Sequence, residues 1–518
     1  MCVAVVAAAT AMLPVLSALS TGASVGDAWT SASGALPATD GAGDGPATDD
    51  QSALVGQTAC PTDNDCFAVG GYLDSAGNTA GDIESISQSA PGASTVTHIV
   101  APEPATDPAG NGPQDSGSAH LFAQLYSVSC ASPSSCVAVG TYQDSAGEDW
   151  ALVESWQGAS TWTASVAPEP AGNSAGFGPG TGAREVATLW DVDCYAVGSC
   201  VAVGSYGDAD GRVWPMIDTL SGGVWTATTV EVAGQGPGQD GVSSWLQAVS
   251  CTVDGFCVAG GAWNDAQESA SVGIVATGSD GAWTSASPAP PTGVTALAQV
   301  TAVACAPSGP CVGLGPGNLG PGTGYGSSLI AYTYSQATQE WSTSVVPLPA
   351  GNAAGTPGSW FNDYDSISCP AAGDCVGTAN ANDTGGWASE ATLITQTPSG
   401  WTSGLAPSPA GDDPAGFPAA ATGFSLRSVA CPAAGSCVAV GYYPDTSGGD
   451  WGLVETLSGG SWTASTMPDP PGSGTDGEYD QYVGLFSVGC TSDGSCGAAG
   501  SDEDPSANSR LFAADEVS

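Results

Sequence analysis

The sequence predicts an all-β fold, specifically an eight-bladed β-propeller with four antiparallel strands per blade. Three observations carry this. Sixteen of the 17 cysteines fall into eight equally spaced pairs. Each pair opens a unit that reads as four short strands. The last unit lacks its final strand, and a matching segment stands at the other end of the chain.

The pairs are Cys60/Cys66, Cys130/Cys136, Cys194/Cys200, Cys251/Cys257, Cys305/Cys311, Cys369/Cys375, Cys431/Cys437 and Cys490/Cys496, each with five residues between, and Cys2 stands apart. Successive first cysteines lie 70, 64, 57, 54, 64, 62 and 59 residues apart. Repetition on this scale marks a solenoid, a propeller or an array. Abundant glycine (75) and proline (37) suit short strands and turns better than long helices.

The second unit is the clearest. Leu125-Tyr-Ser-Val-Ser-Cys130 alternates like a strand, and a turn follows. Cys136-Val-Ala-Val-Gly-Thr-Tyr142 reads as the second strand, Trp150-Ala-Leu-Val-Glu-Ser-Trp156 as the third, and Thr161-Trp162-Thr-Ala-Ser-Val166 as the fourth. Turn signals separate them, Asp144-Ser-Ala-Gly147 among them. Four short antiparallel strands per repeat are the pattern of a propeller blade.

Within the first hairpin the two cysteines end facing strands, within reach of a disulfide. One bridge per blade is therefore expected, each contributing about 2 kcal/mol by limiting the unfolded chain. Zinc is the alternative. The spacing is longer than the usual zinc pair, and the chain has only two histidines, His98 and His120.

Two more positions recur. A tryptophan opens the fourth strand at Trp162, Trp225, Trp283, Trp341, Trp401 and Trp462, where the first unit has Val96. These are expected to fill the gaps between neighbouring sheets. An aspartate lies eight residues after the second cysteine at Asp74, Asp144, Asp208, Asp265, Asp383, Asp445 and Asp504. It is expected to hydrogen-bond its own turn.

The eighth unit ends on its third strand, Arg510 to Glu516. Its missing strand matches Asp27-Ala-Trp29-Thr30-Ser-Ala-Ser, which resembles Gly-Ala-Trp283-Thr284-Ser-Ala-Ser. The N-terminal strand is thus expected to shut the ring, which removes free sheet edges. The turns between second and third strands then share a face with the long connections, such as Pro168 to Ala183. The stapled hairpins occupy the other face, and function is expected among the loops.

The domain organisation follows. Residues 27–518 form one propeller, and residues 1–23, with an apolar run from Val3 to Leu19, read as a secretory signal that lacks its basic start. Extracellular localisation is therefore expected, with no membrane insertion after processing and a monomeric state. Fifty-one acidic residues face four arginines, Arg184, Arg212, Arg427 and Arg510, and no lysine, for a formal net charge of −47. That excludes nucleic acid, whose phosphates need lysine and arginine, and disfavours anionic membrane surfaces. Polysaccharides, proteins and cations remain as partners.

The unit Ser-Val-Ser-Cys130…Cys136-Val-Ala-Val-Gly-Thr-Tyr142…Leu-Val-Glu-Ser…Trp162-Thr resembles the repeats of secreted actinobacterial propeller-like proteins. More distantly, the Gly-x-Trp-Thr strand starts look like kelch and sialidase-type propellers, and Gly278-Ser-Asp-Gly-Ala-Trp283 looks like a degenerate Asp-box. The resemblance covers residues 27–518 and implies the fold, not an activity.

A sialidase-like site would need three converging arginines, which four scattered ones do not supply. Ser-His-Asp catalysis needs a nucleophile motif, and neither His98 nor His120 has one nearby. Calcium is the one cation expected, at Asp208 and Asp210 and at Asp502 and Asp504, where carboxylates cluster within a few residues. No cofactor is required. The leading expectation is a non-enzymatic module that binds an extracellular polysaccharide, envelope component or protein. The alternative is a carbohydrate-active enzyme using two channel carboxylates. Two acidic side chains about 5–10 Å apart in a pocket, one with a raised pKa, would favour the enzyme.

Overall fold

A computed structural model describes residues 29–34, 36, 53–75, 77–88, 94–108, 110–112, 123–158, 161–171, 186–208, 212–231, 243–264, 271–318, 327–350, 361–382, 389–409, 424–444, 449–470, 482–503 and 509–516. The expected signal, Cys2, His120, Arg184 and most of the long connections lie outside the described residues. Among the described residues every regular element is a strand. No helix there is long and apolar enough to cross a membrane.

The second unit shows how a repeat folds. Ala123–Ser132, Ser135–Gln143, Asp149–Trp156 and Thr163–Val166 form one antiparallel sheet in chain order. The second strand is buried from Cys136 to Tyr142, as expected of a strand covered on both faces. The fourth alternates between exposed and half-buried residues, as suits an outer edge. A third strand touches the next unit's first strand through short parallel bridges, Asp149 to Val186, Val213 to Ser243 and Asp450 to Tyr482.

The first strand of most units carries a bulge. The register slips between Leu125 and Ser127, Leu189 and Asp191, Leu246 and Ala248, Leu426 and Ser428, and Leu485 and Ser487. The slip presses first-strand backbone against the glycine of Cys-Val-Ala-Val-Gly. A Cβ on Gly140 would lie 1.9 Å from the Gln124 carbonyl oxygen, and one on Gly204 would lie 1.8 Å from that of Thr188. The recurring glycine is therefore a consequence of the bulge.

Neighbouring sheets bury apolar side chains between them. Val137 and Val139 of the second unit pack with Leu189, Val192 and Met216 of the third. The strand-opening tryptophans do as expected: Trp162 meets Phe67 of the first unit edge to face, at 5.3 Å between ring centroids. The repeated four-stranded sheets, packed face to face with their first strands lining one channel, form a β-propeller.

All eight expected disulfides are present. They join Cys60 to Cys66, Cys130 to Cys136, Cys194 to Cys200, Cys251 to Cys257, Cys305 to Cys311, Cys369 to Cys375, Cys431 to Cys437 and Cys490 to Cys496, with Cα atoms 4.0 to 4.2 Å apart. They suit an oxidising environment. With both sulfurs of each pair bonded to one another, the zinc alternative for these cysteines falls away.

The sheet of the last unit runs Trp29–Ala32, Ser509–Glu516, Cys496–Glu503, Val483–Cys490, with Trp29 opposite Glu516. The N-terminal segment thus supplies the missing fourth strand. Trp29 is buried among Val438, Val454 and Phe512, the role its counterparts play elsewhere.

One unit departs from four clean strands. The first strand of the fifth splits into Ala296–Leu297 and Ala302–Cys305. Its partner strand carries Pro316, which has no N–H to give the ladder; the Pro316 carbonyl still accepts from Ala298 N.

Three of the turn aspartates hold their own hairpins, and Asp265, Asp383, Asp445 and Asp504 lie outside the described residues. Asp74 accepts from Asn78 N at 2.7 Å, Asp144 from Ala146 N and Glu148 N, and Asp208 from Arg212 N. Asp144 and Asp208 also take the indole N–H of Trp150 and Trp214.

Candidate functional site

The first strands surround a channel of about 920 Å³. Residues three and one before each first cysteine share one strand face, and most of them line this channel. Adjacent first strands are not paired by backbone ladders, so their N–H groups need other acceptors. Side chains supply them. Ser127 Oγ accepts from Val192 N at 3.1 Å, Ser366 Oγ from Val429 N at 3.2 Å, and Ser428 Oγ from Val488 N at 3.3 Å. One turn of the pleat further on, Ser129, Ser250 and Ser368 take the N–H of Cys194, Cys305 and Cys431. The second, third, fourth, sixth and seventh units thus cap the units that follow them, whereas the fifth, with Ala302 and Ala304, has no side-chain acceptor there.

The disulfides frame the channel without joining in its chemistry. Their first cysteines reach its wall at Cys60, Cys130, Cys305, Cys369 and Cys490. Their second cysteines do not line it. Cys66, Cys136, Cys200, Cys257, Cys311, Cys375, Cys437 and Cys496 are all buried behind the first strands. These residues belong to the scaffold, and none of them is a site residue.

The third unit caps its successor with carboxylates. Asp191 Oδ2 accepts from Val249 N at 2.7 Å, and Asp193 Oδ2 from Cys251 N at 2.8 Å. Asp191 Oδ1 also takes Ser127 Oγ at 2.8 Å, Gln57 Nε2 at 3.1 Å and Val192 N at 2.9 Å. Burial pushes the Asp191 carboxyl up to about 7, against the pull of those donors, while the Asp193 charge adds to the rise. Burial raises Asp193 too, opposed by the Cys251 N–H and the serine hydroxyls. Residues two apart on a strand stand about 7 Å apart. The channel therefore holds two buried acids whose Cα atoms stand about 7 Å apart, and burial raises both carboxyls.

The bulges insert one side chain directly before the channel-facing pair of each of these strands. The residue each slip inserts is Tyr126, Trp190, Gln247, Arg427 or Phe486 in the units named above. Bulges commonly re-aim side chains beside functional sites. Tyr126 and Trp190 touch, with centroids 4.7 Å apart, and Trp190 is 37% exposed. Arg427 and Phe486 line the channel. Arg427 Nη2 donates to Tyr442 OH at 3.3 Å, and Tyr482 bridges Tyr442 and Phe486 through ring contacts. Flat aromatic faces beside hydrogen-bonding groups suit the apolar face and hydroxyl edge of a sugar ring.

Of the aspartates expected to hold calcium, only Asp208 and Asp502 are among the described residues. Asp208 is buried and bonded within its own turn. Asp502 is buried in the last sheet and paired with Arg510. Asp210 and Asp504 lie outside the described residues. His98 is buried beside Asp82, with Nδ1 2.7 Å from Asp82 Oδ2. Sequence reasoning did not single out Asp191 and Asp193. The signal was there: Asp191-Val-Asp193-Cys194 stands in register with Ser127-Val-Ser129-Cys130.

No protein-family model matches the chain, and no curated protein is similar to it in sequence. Several solved structures are similar in shape. A polysaccharide lyase described as an ulvan lyase is 10% identical, with a TM-score of 0.39, over 74% of this chain and 91% of its own. A sialidase of Trypanosoma rangeli is 9% identical, with a TM-score of 0.36, over 80% of this chain and 56% of its own. An α-L-arabinofuranosidase of Fusarium graminearum is 14% identical, with a TM-score of 0.32, over 66% of this chain and 90% of its own. At this distance the likeness concerns shape only.

The expectation of a non-enzymatic binding module is corrected here. The three are described as carbohydrate-active enzymes, a property of those proteins. In this chain the channel carries an acidic pair, both members raised by burial, which favours the enzyme alternative.

Proposed function

We propose that this chain is a secreted carbohydrate-active enzyme, a closed eight-bladed propeller that hydrolyses an uncharged polysaccharide at its central channel. The observation that carries the reading is the Asp191/Asp193 pair. Asp191, held near neutrality, would protonate the leaving glycosidic oxygen, and Asp193 would activate water from the same face of the strand. Carboxyls spaced like their Cα atoms, about 7 Å apart, would fall in the range of inverting hydrolysis, which needs room for that water. The Tyr126–Trp190 pair would seat the sugar rings.

Charge supports the neutral substrate. Elimination on a uronate requires positive groups around its carboxylate, and Arg427 is the one basic residue among the described residues lining the channel. A formal net charge of −47 repels polyanions. Eight disulfides and the apolar N-terminal run support secretion. The pairing of Trp29–Ala32 with the last unit supports closure at eight blades.

The repeat supplies a test that spares the fold. Asp191→Ser and Asp193→Ser install the residues that do the same capping in the second unit. Incubation with a panel of neutral polysaccharides, read as new reducing ends, should show activity in the parent. The double variant should fold and lose at least about 100-fold. Equal activity in parent and double variant would sink the assignment.

A further inference from the structure

Each gap between sheets offers a comparison, because the same register positions recur. On the third strand, opposite the alanine of Cys-Val-Ala-Val, the second unit has Glu154, the third Asp218 and the seventh Glu455. All are fully buried, and neither carboxyl oxygen has a hydrogen-bond partner. Burial pushes Glu154 and Glu455 up to about 9, so these side chains are neutral acids packed among apolar neighbours. The residue two before each is Leu152, Met216 or Leu453, and the one opposite, on the fourth strand, is Ala164, Ala227 or Ala464.

The first unit breaks this pattern at both satellite positions. Around Glu84 it has Asp82 where the others have a large apolar residue, and His98 where they have alanine. All three are buried. One ligand atom from each lies within 4.8 Å of the others. Asp82 Oδ1, Glu84 Oε2 and His98 Nε2 have no hydrogen-bond partner although they are out of solvent. Three orphaned polar atoms in one gap are costly unless something joins them. A lid covers them: a Cβ on Gly34 would lie 2.8 Å from His98 Cδ2, so only glycine lets the N-terminal segment pass across the imidazole.

We propose that Asp82, Glu84 and His98 bind a divalent transition-metal ion of the zinc class, in the gap that the N-terminal strand closes over the first blade. One imidazole and two carboxylates are a borderline nitrogen and oxygen donor set that suits Zn²⁺. Two carboxylate charges balance the ion. All three ligands are buried beneath the Gly34 backbone, so the ion would enter as the chain folds and serve structure. It holds the two strands of the first blade on which the N-terminal strand rests.

The test is metal content. The full chain, refolded with ZnCl₂ and dialysed, should retain one zinc per chain by elemental mass spectrometry, and refolding with EDTA should lower its melting temperature by several degrees. Glu84→Gln and His98→Ala should lose the zinc, whereas Glu154→Gln, at the same register position, should keep it. Should the variants fail to fold, the parent refolded with CoCl₂ decides: visible ligand-field bands support the site. A parent that retains no zinc, shows no cobalt bands and melts identically with and without EDTA would show that Asp82 and His98 form a metal-free ion pair, overturning the proposal.

Discussion

The first strands of the second and third units have the same bulge, the same cysteine and the same valine between two capping residues, yet one caps with Ser127 and Ser129 and the other with Asp191 and Asp193. Both pairs take backbone N–H groups at the same two positions of the next unit. A hydroxyl does this without burying a charge. A carboxylate does it against a desolvation cost that shows in the raised pKa of both aspartates. The fold is served by serine, so the carboxylates answer to something else. Comparing equivalent positions inside one chain separates structural duty from chemistry.

The largest effect should come from removing the difference. Asp191→Ser with Asp193→Ser makes the third unit copy the second, abolishing hydrolysis while denaturant unfolding at pH 7 shows stability equal or higher. A large fall in stability would mean that the carboxylates are the structural residues.

Next comes pH. The folded Asp191 carboxyl titrates at about 7, above its ordinary 3.8. Between those values the folded chain keeps a proton that the unfolded chain has released. Stability therefore falls as pH rises through that window, by about 1.4 kcal/mol per pH unit for one group, and levels off above it. Asp191→Ser should flatten that part of the profile. Activity in the parent should also decline above about pH 7, as the proton donor ionises.

A smaller change is expected at the bulge. Trp190→Ala should raise KM about ten-fold and leave kcat within about two-fold, because the ring binds the sugar and moves no proton. An equal loss in kcat would place Trp190 in the chemistry. The smallest belongs to the gap acids: Glu154→Gln swaps one neutral polar group for another and should leave the melting temperature near pH 5 within a few degrees. At pH 10, where Glu154 must ionise, the variant should be the more stable of the two.

The repeat made much of the fold legible. Cysteine spacing marked the hairpins, from Cys60–Cys66 to Cys490–Cys496, the Trp-Thr starts marked the fourth strands, and the divided last unit placed Trp29 opposite Glu516. The site was harder to read. A bulge is a property of pairing, so nothing in Leu125-Tyr-Ser marks Tyr126 as the inserted residue until Gly140 is seen pressed against Gln124. Asp191 and Asp193 were visible as departures from serine, but their role depends on facing a shared channel. The cysteines and the turn aspartates drew attention by recurring, and recurrence turned out to track the hairpin. Departure from the repeat, as at Asp82, Asp191 and His98, was the better guide to chemistry.

The direction of the capping bonds has a consequence for how such a chain can change. Every described cap runs from one unit to its successor, so the interface between units is heterologous, with an acceptor side and a donor side. A duplicated unit arrives with both halves already matched to any neighbour. Copies can therefore be gained or lost without inventing a new interface, and one copy is free to exchange its serines for acids while the others keep the sheets packed.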